Sequence, residues 1–248
     1  LKELFILGNG VMARALAGAL KNAFDITFVA RSLNRLDDLS AQGFKLMEYK
    51  DFDPANKAVI LAFKPYALKE VAKKLSANEA KFIISVLANT SLDDLKALKA
   101  KNYARIMPNI AAEYGASTTP FVLLNDEFRA EILEILKGFG EIFELKNEAQ
   151  MNAAMAISGC APAFLAIVAE ALAGAGVYEG LEKSLSLELV RSLFKGFGTL
   201  LEKEHPALLK ENVCSPAGVT IKGVKVLEQR ALRAAFFEAV SASANNKN

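Results

Sequence analysis

Between Leu1 and about Lys146, short apolar runs alternate with stretches whose apolar residues recur at helical spacing. "ELFILGNG" is an apolar run into glycines, and "GVMARALAGALKN" follows with helical period. "DITFVA" reads as a second strand, and "LNRLDDLSAQG" as a helix ending at Gly43. "KAVILAF" is a buried strand. Pro65 then opens "YALKEVAKKL", whose Leu68, Val71, Ala72 and Leu75 share one face. "AKFIISVL", "YARIMPN", "TPFVLL" and "EIFEL" complete the strands. Between them lie "SLDDLKALKA", capped by Ser91, and "NDEFRAEILEILKGFG". This alternation predicts an α/β domain with a doubly wound, mostly parallel sheet covered on both faces.

Beyond Lys146 strand-like alternation stops. "NEAQMNAAMAIS", "APAFLAIVAEALAGAGV", "KSLSLELVRSLFKGFGTLLEKE" and "EQRALRAAFFEAVSASANN" all read as helices, with Gly174, Gly176 and Gly180 marking a turn. The chain therefore divides into an α/β part, 1–147, and an all-α part, 148–248. Several of these helices are apolar on more than one face, which predicts burial against a second subunit. Ala153 to Ala169 carries no charge and is near the minimum spanning length. It contains Ser158, Gly159 and Pro162, so a core or interface helix is expected rather than a membrane span.

Composition narrows the function classes. A chain of 248 residues can bury a sizeable core, and a net charge of +2 gives no argument for nucleic acid or an anionic membrane. Two distant cysteines, Cys160 and Cys214, predict no disulfide framework and a reducing, cytoplasmic location. No leader-like segment opens the chain, so no signal peptide is expected. A single histidine, His205, excludes a His-rich metal site, and no metal is expected. It precedes Pro206 after a charged helix end and reads as an exposed loop or C-terminal cap residue.

Gly8, Gly10 and Ala13 form a G-x-G-x-x-A pattern between the first strand and the first helix. The first glycine allows the tight turn, and the second lets a diphosphate reach the backbone. The small third residue permits close helix–strand packing. Val11 and Met12 then lie at the helix start, where backbone N–H groups favour phosphate. NAD-binding chains place an acid after the second strand. "FVARSLNR" has none there. Arg31, Ser32 and Arg35 instead suit the 2′-phosphate of NADP, with NADH as the alternative. Lys64, Pro65, Ala88 and Asn109 end three further strands and should face the same crevice, where ligands bind in such sheets.

"SPAGVTIKG" is a candidate site without histidine, carboxylate or cysteine. Ser215 suits an N-cap and Pro216 the first helical position. The small residues that follow would leave N–H groups bare, with the Thr220 hydroxyl one turn in.

Taken together and in this order, "GNGVMARA", "FKP", "RIMPN", "SGCAPAFLAIVAEALAGAGV" and "SPAGVTIKGVKVLEQRALRAAFFEAV" resemble the pyrroline-5-carboxylate reductase family along essentially the whole chain. The departures are local. Ser158 to Phe164 read Ser-Gly-Cys-Ala-Pro-Ala-Phe against the family's Ser-Gly-Ser-Gly-Pro-Ala-Tyr. Ala217 stands in place of a common glycine, and Val219 in place of a small residue or threonine. The resemblance implies an N-terminal Rossmann-type domain and a C-terminal helical dimerisation domain. Helices would interleave in a homodimer, with further assembly up to a decamer. It implies reduction of 1-pyrroline-5-carboxylate to L-proline by NADPH, the last step of proline biosynthesis. One subunit's nucleotide crevice would work with the other's helical domain. The cyclic imine's carboxylate would sit on the N–H groups of Gly218, Val219 and Thr220. Thr220 would face the ring nitrogen as the catalytic hydroxyl, Ser215 would lie at the substrate loop, and Asn212 would reach the partner's nicotinamide. Three rivals remain: a reductase of another cyclic imine, a hydroxyacid dehydrogenase, and a non-catalytic NADPH-binding protein. The interdomain helices lack the lysine expected of a hydroxyacid dehydrogenase.

Overall fold

The computed structural model describes residues 1–34, 36–75 and 77–245. Its sheet has eight strands in the order β3-β2-β1-β4-β5-β6-β7-β8. They are β1 Lys2–Leu7, β2 Phe24–Ala30, β3 Lys45–Glu48, β4 Ala58–Leu61, β5 Phe82–Ser85, β6 Tyr103–Ile106, β7 Ser117–Leu123 and β8 Gly140–Glu144. Among the described residues only the β6–β7 pair is antiparallel. The reversal between β1–β2 and β1–β4 places the switch of strand order beside the first glycine turn.

Side chains alternate across each strand, so the sheet builds two cores. On one face Leu4, Ile6, Ile26, Phe28, Ile60 and Ile84 meet Leu16 and Leu20 of α1 (Val11–Leu20) and Leu39 of α2 (Asp37–Ala41). On the other, Phe5, Leu7, Val59, Leu61 and Ile83 pack under α3 (Leu68–Leu75), which buries the four apolar residues read from its period. The short α4 (Leu92–Leu95) opens on a capping box: Ser91 Oγ accepts from Asp94 N, and the Asp94 carboxylate accepts from Ser91 N. On the first face, α5 (Arg129–Lys137) buries Ile132, Ile135 and Leu136.

Some expectations need correction. β3 has no counterpart in the sequence reading, because its KLME carries only two apolar residues on an edge strand. The helix expected over "LNRLDDLSAQG" shortens to the five residues of α2.

The chain separates into two compact units, Leu1–Gly159 and Cys160–Asn248. The first ends with α6 (Met151–Met155) and a π-helical turn, Ala156–Cys160, at its boundary. A buried ion pair fixes this end. Arg105 of β6 donates from Nη1 to Glu148 Oε1 at 2.8 Å, and the same oxygen accepts from Leu92 N at 2.8 Å.

The second unit holds α7 (Ala161–Tyr178), α8 (Lys183–Leu201), α9 (Pro206–Val213), α10 (Val219–Gln229) and α11 (Leu232–Ala244). Of the three glycines expected in a turn, only Gly180 is in one. Gly174 and Gly176 lie inside α7. Gly176 is needed there for packing: a Cβ would overlap Ser186 Oγ of α8, which donates to Ala173 O at 2.8 Å. His205 is exposed and outside the helices, as expected, but it is not a C-cap. It caps the N-terminus of α9, a helix the sequence reading missed, with Nδ1 accepting from Ala207 N. The last helix is also interrupted. Ala231 has φ +56°, so α10 and α11 are separate, and Arg233 bonds back to Glu228 across the break. Glu148–Tyr178 is a helical run of 31 residues, long and apolar enough by length and composition to cross a membrane.

Candidate active site

β1 ends at Leu7, and the chain must turn at once to start α1. Gly8 makes that turn with φ +117°, donating its N–H to Val29 O at 3.1 Å. A Cβ there would overlap the Ala62 carbonyl, so the glycine is required twice over, by conformation and by approach. Gly10 is the N-cap of α1. It has no neighbouring atom where a Cβ would stand, and no side chain caps the helix. The first N–H groups of α1 are therefore bare, as an anion site at a helix start requires. Ala13 is fully buried beneath them.

These residues open into a cleft of about 880 Å³ at the carboxyl edge of the sheet. Gly8, Gly10, Val11 and Met12 line one part. Arg31 and Ser32 line the end beyond β2, and Lys64, Pro65 and Ala88 the ends of β4 and β5. Residues far apart in sequence thus meet where the strand order switches. Arg35, grouped with them from the sequence, lies outside the described residues.

The cleft is electrostatically mixed. Arg31 is exposed, and Glu70 across from it is held below the usual carboxylate range, first by Lys74 and more weakly by Arg31. Tyr49, unremarked in the sequence, also lines it. Burial pushes its phenol up to about 12, so it stays neutral and can donate or accept. Ser32 Oγ accepts from Asn34 N at 3.3 Å, keeping its hydroxyl in a local turn.

Asn109 does not face the cleft. It is buried, its Oδ1 accepts from Ala111 N at 3.0 Å, and its Nδ2 donates to Ser158 O at 2.9 Å. Its neighbour Ile110 lines the cleft instead. Nothing in the sequence signals that this amide is committed to the π-helical turn.

In the second unit the segment 215–220 differs in detail from its reading. Ser215 is not an N-cap, and Pro216 is not the first helical residue. Ser215 to Gly218 form a turn closed by Gly218 N to Ser215 O at 3.0 Å, with Ala217 at φ +59°. Gly218 is the N-cap of α10, and no side chain caps it. Its own N–H is used by the turn. The free donors are the N–H groups that begin with Val219 and Thr220. Val219 is exposed, and Thr220 is half-buried. Asn212, on α9, donates to Glu204 Oε2 at 3.0 Å. Among the described residues no cluster of three or more His, Cys, Asp or Glu side chains gathers.

The first cleft fits a dinucleotide: bare helix N–H groups for a diphosphate, a cation and a hydroxyl beyond β2, and ample volume. The second site fits a small carboxylate beside a hydroxyl. Comparison with known proteins bears on the family and the coenzyme. Residues 148–248 match the family described as pyrroline-5-carboxylate reductase dimerisation, and residues 3–89 match NADP oxidoreductase, coenzyme F420-dependent. A pyrroline-5-carboxylate reductase of Helicobacter pylori is 36% identical, with 95% of each chain covered. The 1-pyrroline-5-carboxylate reductase of Streptococcus pyogenes superposes with a TM-score of 0.88 at 29% identity, covering 98% of this chain and 96% of that one. A Plasmodium falciparum pyrroline carboxylate reductase solved with NADP bound gives 0.82 at 25% identity, covering 98% and 95%.

Proposed function

This chain belongs to the pyrroline-5-carboxylate reductase family, and from that premise we infer that it reduces 1-pyrroline-5-carboxylate to L-proline with NADPH. It is an oxidoreductase of proline biosynthesis. The observation that carries this reading is the cleft at the strand-order switch, with a cation and a hydroxyl where NAD-binding chains place an acid.

Bound NADPH supplies a hydride for the imine carbon. The chain's own residues do the rest. Gly10, Val11 and Met12 would receive the diphosphate on backbone N–H groups, with Gly8 making the turn that brings them there, and Arg31, Ser32 and Arg35 would take the 2′-phosphate. Lys64, Pro65 and Ala88 border the path toward the nicotinamide end. The imine's carboxylate rests on the start of α10, where the helix dipole favours it. The Thr220 hydroxyl orients the ring nitrogen. A neutral threonine is a poor free acid, so its role is to hold a proton already on the imine or relay one. This division of labour explains a site without a conventional acid–base pair.

The substrate is a small molecule, and the helical part is a dimerisation domain. We propose that copies pair by interleaving α7 to α11, and that pairs assemble further, up to a decamer. Support comes from the apolar side chains these helices leave open in a single chain, such as Ile167 at 65% and Phe237 at 78% exposure. The same need accounts for the long apolar run through α7 without a membrane. In such a pair the α10 loop of one copy, with Asn212, would serve the partner's cleft. The cysteines are free, which supports a reducing, cytoplasmic location.

The experiment is coenzyme titration. Arg31→Ala should raise the NADPH KM at least about tenfold and leave the NADH KM within about twofold, since only NADPH carries the phosphate. Equal losses for both would remove Arg31 from the 2′-phosphate site.

A further inference from the structure

Asn9 separates the two glycines of the phosphate turn, and its carbonyl is not free. Arg14, one turn into α1, donates from Nε to Asn9 O at 2.9 Å. The guanidinium is itself held. Its Nη1 and Nη2 engage both carboxylate oxygens of Asp38, in the first turn of α2. The Arg14 guanidinium keeps the Asp38 carboxyl below its usual range, so the pair is charged at neutral pH. Neither Arg14 nor Asp38 lines the cleft, whereas Asn9, Gly10 and Val11 do.

A trans peptide points its N–H opposite to its C=O. The Asn9–Gly10 peptide is trans. With Asn9 O tied to Arg14, the N–H of Gly10 is directed away from Arg14. Among the described residues that N–H finds no acceptor in the chain. Were the peptide free to turn over, a carbonyl oxygen would replace the N–H and repel a phosphate.

We propose that Arg14, braced by Asp38, is a positioning residue that fixes the Asn9–Gly10 peptide so that Gly10 N–H meets the coenzyme's diphosphate. This rests on the reading of the cleft as the dinucleotide site. It assigns to Arg14 an effect shared by NADPH and NADH, because both carry the diphosphate, unlike the effect of Arg31.

The test measures dissociation constants of NADPH and NADH by fluorescence titration without imine, then kcat and imine KM, for Arg14→Gln, Arg14→Lys, Asp38→Asn and the Arg14→Gln/Asp38→Asn double variant. Arg14→Gln should weaken both coenzymes alike, by about tenfold or more, as expected for losing one hydrogen bond to a charged group. Its kcat and imine KM should stay within about twofold of wild type. Arg14→Lys should recover part of the loss. Asp38→Asn should give a smaller loss of the same kind, and the double variant should bind no worse than Arg14→Gln, because the two act as one unit. Unchanged constants in both Arg14→Gln and Asp38→Asn would overturn the proposal, as would a loss confined to NADPH. A wild-type protein that binds neither coenzyme would instead remove the cleft reading itself, and the proposal with it.

Discussion

Ala217 is held at φ +59°, in the left-handed region, where the resembling family commonly has glycine. For an L-residue with a Cβ that conformation costs roughly 1–2 kcal/mol. Glycine would remove this strain but would lose about 0.5–1 kcal/mol through its greater freedom in the unfolded chain. The difference leaves Ala217→Gly more stable by about 0.5–1 kcal/mol, or roughly 1–4 °C in Tm for a chain of this size. Ala217 is exposed, so no packing change competes. Asn tolerates the same region and should fall between glycine and alanine, whereas a β-branched valine should be worse than alanine by about 1 kcal/mol or more. Thermal melts of the four proteins at one fixed protein concentration, without coenzyme, give the order Gly, Asn, Ala, Val. The imine KM should rise in the valine variant, because the same turn presents the α10 N–H groups. A valine variant that melts with or above wild type, or a glycine variant that melts below it, would show that residue 217 is not held left-handed.

Glu148→Ala leaves the Arg105 guanidinium, 7% exposed, without its carboxylate and takes the acceptor from Leu92 N. A loss of about 3 kcal/mol in urea unfolding is expected, and a change under about 1 kcal/mol would show that the pair is solvated. Asp94 is held below the usual carboxylate range by the Ser91 hydroxyl and amide. Its contribution is therefore complete above the unfolded pKa of about 4 and fades as pH falls through the lower folded value. Asp94→Asn should flatten that acid limb, lowering stability at neutral pH and changing little below the folded pKa. Coexpressing Thr220→Ala with Gly8→Val tests where the site is completed. If each site takes its cleft from one copy and its α10 loop from another, the coexpressed protein regains about a quarter of wild-type activity, since about half of the pairs are mixed and each mixed pair has one intact site of two. Sites built within one copy would regain none.

Much of this was legible because strong periodicity decides strongly. The four apolar residues of α3 and the runs of β1, β2, β4 and β5 sit where alternation puts them. So do the glycines of the turn between β1 and α1. What escaped had weaker local signals. β3 is short and at an edge, and α9 announces itself only by His205-Pro206, a pairing that reads equally as a loop. The break at Ala231 carries neither glycine nor proline. The structure brings Gly8, Gly10, Arg31, Ser32, Lys64 and Ala88 to one cleft, but the sequence does not tell which partners the polar groups take. Gly218 N–H closes a turn, and the Asn109 amide goes to Ser158 O. Tyr49 reached the cleft through β3, the strand not foreseen. Neither the local turn nor the long-range bonds are encoded in residue spacing.

The most direct measurement follows the hydrogen. Wild-type protein is incubated with 1-pyrroline-5-carboxylate and NADPH carrying deuterium at both C4 positions of the reduced nicotinamide, and the product is read by mass spectrometry and NMR. A single deuterium on the carbon that was the imine carbon of the substrate, formed one for one with coenzyme oxidised, is the expected result. Coenzyme binding with no proline formed, or proline without the label, would contradict it.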